Sequence, residues 1–392
     1  MMKNIFKIYV IMVITYIFIG CTEVDFEKSY NSEILKKSMY ANFEPLWELY
    51  LESANGGWKD NDNGRFSNDD APVIQALLEL YEITKDSRYI DKLYSLVNNF
   101  LENDDIARGL QDQHRGNQIL PGWSSVRYTE DNSRTIFLMD DALILISIVN
   151  SYNYLKNIET SFNVPVEWLT RAEIEFDMVF KNEWKDMGNN KGYFQDSYFT
   201  KTDLNMPMNQ YAIIGELCLT LYKATGNNMY KEYAVKTANF LKEELIKKTN
   251  SYVWYYKRPS PTYPTKEYDD FSHSQLVWRF IDIMYLSGEV FDYESVELII
   301  GTFKYEVIDN DKVFRFFGGM INENETAPLN LLYQENPWLE YYYSLAKYDN
   351  EIKDILKKFR SSRLLNYNPN SDFNHIGQFV ILDFALEKKY LN

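Results

Sequence analysis

A chain of 392 residues, 45% hydrophobic and 25% charged, has the composition of a globular protein with a sizeable core. Only 11 prolines and 16 glycines, with no low-complexity run, exclude collagen-like and linker-rich chains. The 57 acidic against 41 basic residues argue against a nucleic-acid partner, which needs a basic face to release counterions. Two cysteines leave no disulfide framework, while aromatics reach 16%, with 32 tyrosines and 8 tryptophans.

Met1 to Gly20 carries Lys3 and Lys7 and then an apolar run from Ile8 to Ile19, the layout of a secretory signal peptide too short to span a bilayer comfortably. Phe18-Ile19-Gly20-Cys21 closes that run, and a small residue followed by Cys resembles the lipobox of bacterial lipoproteins, with Phe18 where Leu is usual. The resemblance implies a signal peptide over 1–20, lipidation of Cys21, a tether over 21–32, and an outer-membrane protein whose lipid is its sole membrane contact. Glu23, Asp25 and Glu27 are similar to the export tags of Bacteroidetes surface lipoproteins. Ordinary secretion with an incidental Cys is the alternative. Removing 1–20 takes away two lysines and no acid, leaving the chain still more negative. Cys218, inside an apolar helical run, is expected to be buried and inert. Asp60-Asn61-Asp62-Asn63-Gly64 begins like a calcium loop, but its glycine falls one position early and no closing glutamate follows, so it reads as a turn. There is no zinc spacing and no glycine-rich phosphate loop, and no metal or cofactor is expected.

From residue 33 onward, segments with helical periodicity alternate between two kinds. One kind is apolar nearly all round, which marks helices enclosed by other helices. These begin near Asp69, Asp140, Asn209, Asp270, Glu335 and His375. Amphipathic helices lie between them, at 33–53, 88–102, 167–184, 228–247, 291–306 and 350–363. The first five enclosed helices start roughly 60 to 70 residues apart, an internal repeat that decides the fold. The expectation is an all-α, closed (α/α)6 toroid forming one domain over 33–392, with an open α-solenoid as the alternative.

Antiparallel alternation sends all the inner helices in one direction, so their N-termini gather at one mouth. Polar clusters stand there: Asn68-Asp69-Asp70, Asp140-Asp141, Asn209-Gln210, Asp269-Asp270 with His273, Gln334-Glu335-Asn336 and Asn374-His375. Capping explains part of this, since Asp and Asn satisfy orphan N–H groups at helix starts. Trp58, Trp123, Trp254 and Trp338 in the flanking loops add apolar faces, and rings beside hydrogen-bonding groups suit sugars.

The alternating pattern, the Asn209-Gln210 start, Tyr222-Lys223-Ala224-Thr225-Gly226, and Val253-Trp254-Tyr255-Tyr256 leading to Asp269-Asp270-Phe271-Ser272-His273 resemble the six-hairpin carbohydrate-active superfamily of glycoside hydrolases, polysaccharide lyases and glucuronyl C5-epimerases. Ser274 stands where the epimerase-like members carry Ala. The resemblance implies a carbohydrate substrate more securely than a reaction.

Two enzymatic readings compete. Elimination from a uronate needs the carboxylate neutralised, the C5 proton removed and the leaving group protonated. All three histidines, His114, His273 and His375, map to the mouth. On this favoured reading His273 moves the proton, Asp270 or its neighbour orients it, and His114 or Tyr256 completes the pair. Arg115, Arg127, Lys257 and Arg258 neutralise the substrate, and Trp123, Trp254, Asn209, Gln210 and His375 bind sugar. The same chemistry serves a polysaccharide lyase, a dehydratase or an epimerase. Hydrolysis instead needs two carboxyls, one acid and one base or nucleophile. Asp140 or Asp141 with Asp269 or Asp270 supplies them, and adjacent aspartates on an inner helix also resemble the α-1,6-mannanase family, although Trp-rich surroundings are missing around Asp140. A non-catalytic glycan-binding lipoprotein is the third reading.

Overall fold

Side-chain caps cut the chain into helical hairpins. In a computed structural model of the protein the described residues are 43–53, 60–158, 162–201, 205–259, 266–309, 312–314, 326–328, 340–366 and 376–391. Their long helices are α1 (Phe43–Ser53), α2 (Ala71–Thr84), α3 (Ser87–Glu102), α4 (Leu138–Asn157), α5 (Glu167–Met178), α6 (Met208–Thr225) and α7 (Asn228–Glu244). After these come α8 (Phe271–Leu286), α9 (Tyr293–Thr302), a 3-10 segment (Glu340–Lys347), α10 (Asn350–Asn366) and α11 (Ile376–Leu386). Asp86, Asn227, Asp292 and Asp349 start α3, α7, α9 and α10 by accepting backbone N–H groups of the first turn at 2.8 to 3.0 Å. Lys85 and Gly226, both left-handed, stop α2 and α6 one residue before such a cap. A stop followed at once by a start is what reverses the chain.

The helices α2, α4, α6 and α8, the 3-10 segment and α11 each pack on the next, and α11 packs back on α2, so the inner wall is a closed ring. The others line its outside: α3 on α2, α5 on α4, α7 on α6, α9 on α8, α10 on the 3-10 segment and α1 on α11. This explains the two sequence patterns. Helix α4 has α2 on one flank, α6 on the other and α5 behind, so Ile144, Leu145, Ile146, Ile148 and Val149 are all buried. Helix α6 meets α8 so closely that a Cβ on Gly215 would lie 2.5 Å from the Phe280 ring. Inside the ring, Arg279 of α8 bonds Glu216 of α6 at 2.6 Å and Gln75 of α2 at 3.2 Å, tying three inner helices together.

Three inner–outer hairpins end in small antiparallel sheets: β1 (Trp184–Gly188) with β2 (Lys191–Phe194), β3 (Ile246–Lys247) with β4 (Tyr252–Val253), and β5 (Ile308–Asp309), β6 (Lys312–Phe314) and β7 (Thr326–Pro328). The helices expected over 167–184 and 228–247 therefore stop early, at Met178 and Glu244. For the first, left-handed Asn189 and Asn190 make a tight reversal, and Phe194 and Trp184 gain aromatic contacts with Tyr233 that a continuous helix would forgo. The fifth enclosed helix, expected near Glu335, is the 3-10 segment in its described part. Cys21, Trp58, Trp338 and His375 lie outside the described residues.

Candidate functional site

The loops before the inner helices touch in sequence, which places those N-termini at one mouth. Arg134 ahead of α4 bonds Asp62 ahead of α2 at 2.5 Å. Asp196 ahead of α6 accepts the N–H of Leu138, the first residue of α4, at 2.8 Å. Pro207 bridges to Lys257 ahead of α8.

Asp140 and Asp141 sit in the first turn of α4, both buried. No hydrogen bond of ordinary geometry reaches either oxygen of Asp140; the Arg127 guanidinium and the Ser67 hydroxyl are its nearest polar support. Burial, only partly offset by Arg127, pushes its carboxyl up to about 6. Its Oδ2 lies 3.2 Å from where a Cβ on Gly64 would stand, with Arg127 at 3.1 Å and Asn68 at 3.3 Å from the same point. Gly64, left-handed at φ +64, is what lets these side chains converge. Tyr128, 41% exposed, brings its ring to 5.0 Å from Arg127, and burial of its hydroxyl followed by Asp140 raises its pKa.

Asp141 points the other way, into the wall. Its Oδ2 accepts the Trp123 N–H at 3.1 Å, and a Cβ on Gly122 would come within 2.6 Å of that oxygen. Burial first, then the neighbouring Glu175 carboxyl on α5, raises its pKa well above the usual carboxylate range. The two aspartates are adjacent in sequence but differ in surroundings, and so in what lifts their pKa values.

The other aspartate pairs are tied into the wall. Asp70 accepts the Tyr50 hydroxyl at 2.5 Å and is raised by burial. Asp269 accepts the Trp254 indole at 2.6 Å and the Asp270 N–H at 2.9 Å, and burial with the Asp270 charge lifts it to about 8. Asp270 caps α8 through the His273 N–H at 3.0 Å and holds His273 Nδ1 at 2.5 Å. The His273 side chain is 44% exposed, with the Tyr256 ring 4.9 Å away. Among the described residues Asp269, Asp270 and His273 are close enough to share a cation, but every one of their oxygens described here already accepts a hydrogen bond.

Several expected roles are corrected by these positions. Arg115 does not face a substrate: its side chain is 9% exposed and clamped by Asp112 at 2.7 Å, Glu183 at 2.9 Å and Asp196 at 3.7 Å. Those acids outweigh its burial and hold it firmly protonated. Trp123 and Trp254 are buried pillars, their indoles donating to Phe100 O and Asp269, and offer no face to a sugar. Arg258 is paired with Glu244 at 3.1 Å beside Phe240 of α7. His114 contacts Ser133 at 2.7 Å and the Tyr198 ring, while His273 contacts Asp270 and the Tyr256 ring. Asn209 is buried beside Met139, its Oδ1 unpartnered, while Gln210 is half-buried in the same turn. Lys257 is half-buried near Tyr256, its pKa lowered by burial against the pull of Glu267.

Sequence reasoning missed Glu175, Asp196, Gly64 and Gly122. For Glu175 a signal existed: it falls in the apolar stripe of α5, among Trp168, Ala172 and Phe176, where a charge has no business unless partnered.

No protein-family model matches the sequence, and no curated protein matches it. Solved structures do share its fold. The α-1,6-mannanase of family 76 from Salegentibacter sp. HEL1_6 superposes with a TM-score of 0.54 at 15% identity, covering 93% of this chain and 99% of that one. An inactive variant of the same enzyme, with two consecutive aspartates changed to asparagine and α-1,6-mannotriose bound, gives 0.53 at 15%, covering 91% and 98%. A family-76 glycoside hydrolase (mannosidase) from Bacteroides thetaiotaomicron VPI-5482 gives 0.53 at 14%, covering 88% and 98%. The described fold is thus the six-hairpin toroid seen in these glycoside hydrolases.

The favoured expectation, a lyase or dehydratase acting on a uronate, is overturned. The neighbours are hydrolases, and within the chain Arg115 is locked among acids. The paired-aspartate alternative fits better.

Proposed function

We propose that the protein is a glycoside hydrolase acting on α-1,6-linked mannan or its oligosaccharides through Asp140 and Asp141. The observation that carries this reading is the contrast between the two neighbours: Asp140, beside the Arg127 guanidinium with its carboxyl pushed up to about 6, and Asp141, turned into the wall with its carboxyl raised well above the usual range by burial and by Glu175. The Asp140 carboxylate, on the side of Arg127, acts at the anomeric carbon directly or through a water, and Asp141, beside it in the wall, is the second carboxyl that the reaction requires. Arg127 and Tyr128 stand over Asp140, and a sugar reaching it displaces them.

The solved mannanase neighbour, inactive when two consecutive aspartates become asparagine, supports a pair of adjacent aspartates as the reacting groups. The test is to incubate the purified protein with α-1,6-mannotriose and α-1,6-mannan and weigh the products. Products together heavier by one water, with Asp140→Asn and Asp141→Asn each lowering turnover by about 10² to 10⁴, are expected. Unsaturated products, or no hydrolysis of any α-mannan, would sink the reading. The lipobox-like segment adds a proposal about place: the mature protein is anchored in the outer membrane through Cys21, so detergent partitioning should follow the wild type and fail for Cys21→Ala.

A further inference from the structure

The inner helices that begin together at the mouth also end together, on the opposite side of the ring. There the second halves of α2 and α4, with Arg279 of α8, enclose a cavity of about 440 Å³. Small-ligand sites span roughly 300 to 1,000 Å³. A helix rises about 1.5 Å per residue, so Asn153 in this cavity stands about 20 Å along α4 from Asp140. Gln75 and Arg279 form the inner end of the cavity. Arg279 bonds Gln75 at 3.2 Å and Glu216 at 2.6 Å, and the Tyr341 hydroxyl donates to Gln75 at 3.2 Å, so four elements of the inner wall meet in one polar plate. By position along the helices, that plate lies between the cavity and the aspartates at the mouth.

Helix α4 is buried without interruption from Ala142 to Val149, and then Asn150, Asn153 and Asn157 share one face and line the cavity. Asparagine is a poor helix former, and an enclosed helix gains no packing from it. Asn157 has a structural task, donating to the Asn153 carbonyl at 2.8 Å near the helix end. The side-chain amides of Asn150 and Asn153 are half-buried and have no hydrogen-bond partner among the described residues. Gln75 Oε1 accepts from both Arg279 and Tyr341, which leaves its Nε2 donors to the cavity. Three carboxamides therefore face a space whose other walls include the Tyr154 ring and the aliphatic Leu78, Ile146 and Ile158.

The charges around this space are matched within the protein. Glu79 and Glu82 share Lys389 at 2.5 and 2.8 Å, Arg279 keeps Glu216, and Lys85 gives its ammonium to the Tyr154 hydroxyl at 3.0 Å. Two lining carboxylates beside the negative dipole ends of α2 and α4 repel an anion, and Lys389 already fills the place of a cation. A neutral polyhydroxy ligand fits both facts: its hydroxyls donate to and accept from amides, and its ring carbons lie on apolar walls.

We propose that this end of the ring is a second, non-catalytic carbohydrate site, taking a neutral hexose or short hexose oligosaccharide through Gln75, Asn150 and Asn153. That the sugar is an α-mannoside rests on the hydrolase reading above. The test counts bound sugars by isothermal titration calorimetry of the full chain carrying Asp140→Asn, with α-1,6-mannotriose as the probe. Two sugars per chain are expected. Adding Asn153→Leu, which keeps the helix and fills the cavity, should remove one of them, and adding Asn150→Ala instead should weaken the same one about tenfold, the worth of one or two neutral hydrogen bonds. In the otherwise wild-type chain Asn153→Leu should leave the melting temperature and, within about twofold, mannotriose turnover unchanged. A sugar count that neither variant alters overturns the proposal, and trigalacturonate binding there as well as mannotriose overturns the neutral ligand class. The two readings fail separately. A sugar lost with Asn153→Leu from a protein that hydrolyses no α-mannan keeps this site and removes the mannanase reading; hydrolysis with a single sugar indifferent to Asn153 and Asn150 does the reverse. Neither binding nor hydrolysis removes both.

Discussion

Arg115 shows how a cation that looks like a ligand from its neighbours in sequence becomes a strut. Removing it strands three buried acids, so Arg115→Ala should lower stability by about 3 to 5 kcal/mol, as breaking one side of a buried ion pair does, with soluble variant showing little change in KM. Urea unfolding and steady-state kinetics check both halves; a variant of native stability with a raised KM would restore the substrate role. Asp140 makes the complementary case. If it must be ionised to act, kcat/KM falls as pH drops through about 6, the value to which burial has lifted it. A pH profile whose acid limb lies near 4 would remove Asp140 from that role. Exposed Tyr128 and the glycine at 64 are the positions from which that environment is most readily altered.

At the scale of one helix, α4 both completes the wall and carries the aspartates. Ile144, fully buried one turn after the pair, holds that helix against its neighbours. Ile144→Ala should lower stability by about 2 to 5 kcal/mol, the range for a core truncation that leaves a cavity. Gly215→Ala tests the α6–α8 approach from the other side: a methyl 2.5 Å from the Phe280 ring forces one helix to shift, at about 1 to 3 kcal/mol. Thermal unfolding reads both, and a neutral Gly215→Ala would mean that the two helices slide freely.

For the whole molecule the buried acids set the pH response. Asp269 at about 8, Glu175 at about 7, and Asp105 and Asp140 at about 6 all hold protons in the folded state where an unfolded carboxyl near 4 has lost them. The folded chain then binds more protons than the unfolded one, so stability falls as pH rises from about 4 to 8. Carboxyls held low, such as Asp292 and Asp349, act below that window. The melting temperature should be higher near pH 5 than near pH 8, and Asp269→Asn should narrow the gap; a melting temperature that climbs across that range would contradict it.

The alternation of all-round apolar and amphipathic helices was legible in the chain because a helix enclosed by three others must be apolar on three sides, and that pattern needs no coordinates. What a mouth residue does was not legible there. Trp123, Trp254, Arg115 and His273 all stand near polar clusters in sequence, but only packing showed that the first two are buried, that three acids enclose Arg115, and that His273 is held by Asp270. Asp140 and Asp141 are chemically identical and adjacent. Their difference comes from Arg127, some dozen residues earlier, and from Glu175, on another helix, and charge and protonation depend on neighbours in space that spacing along the chain does not report.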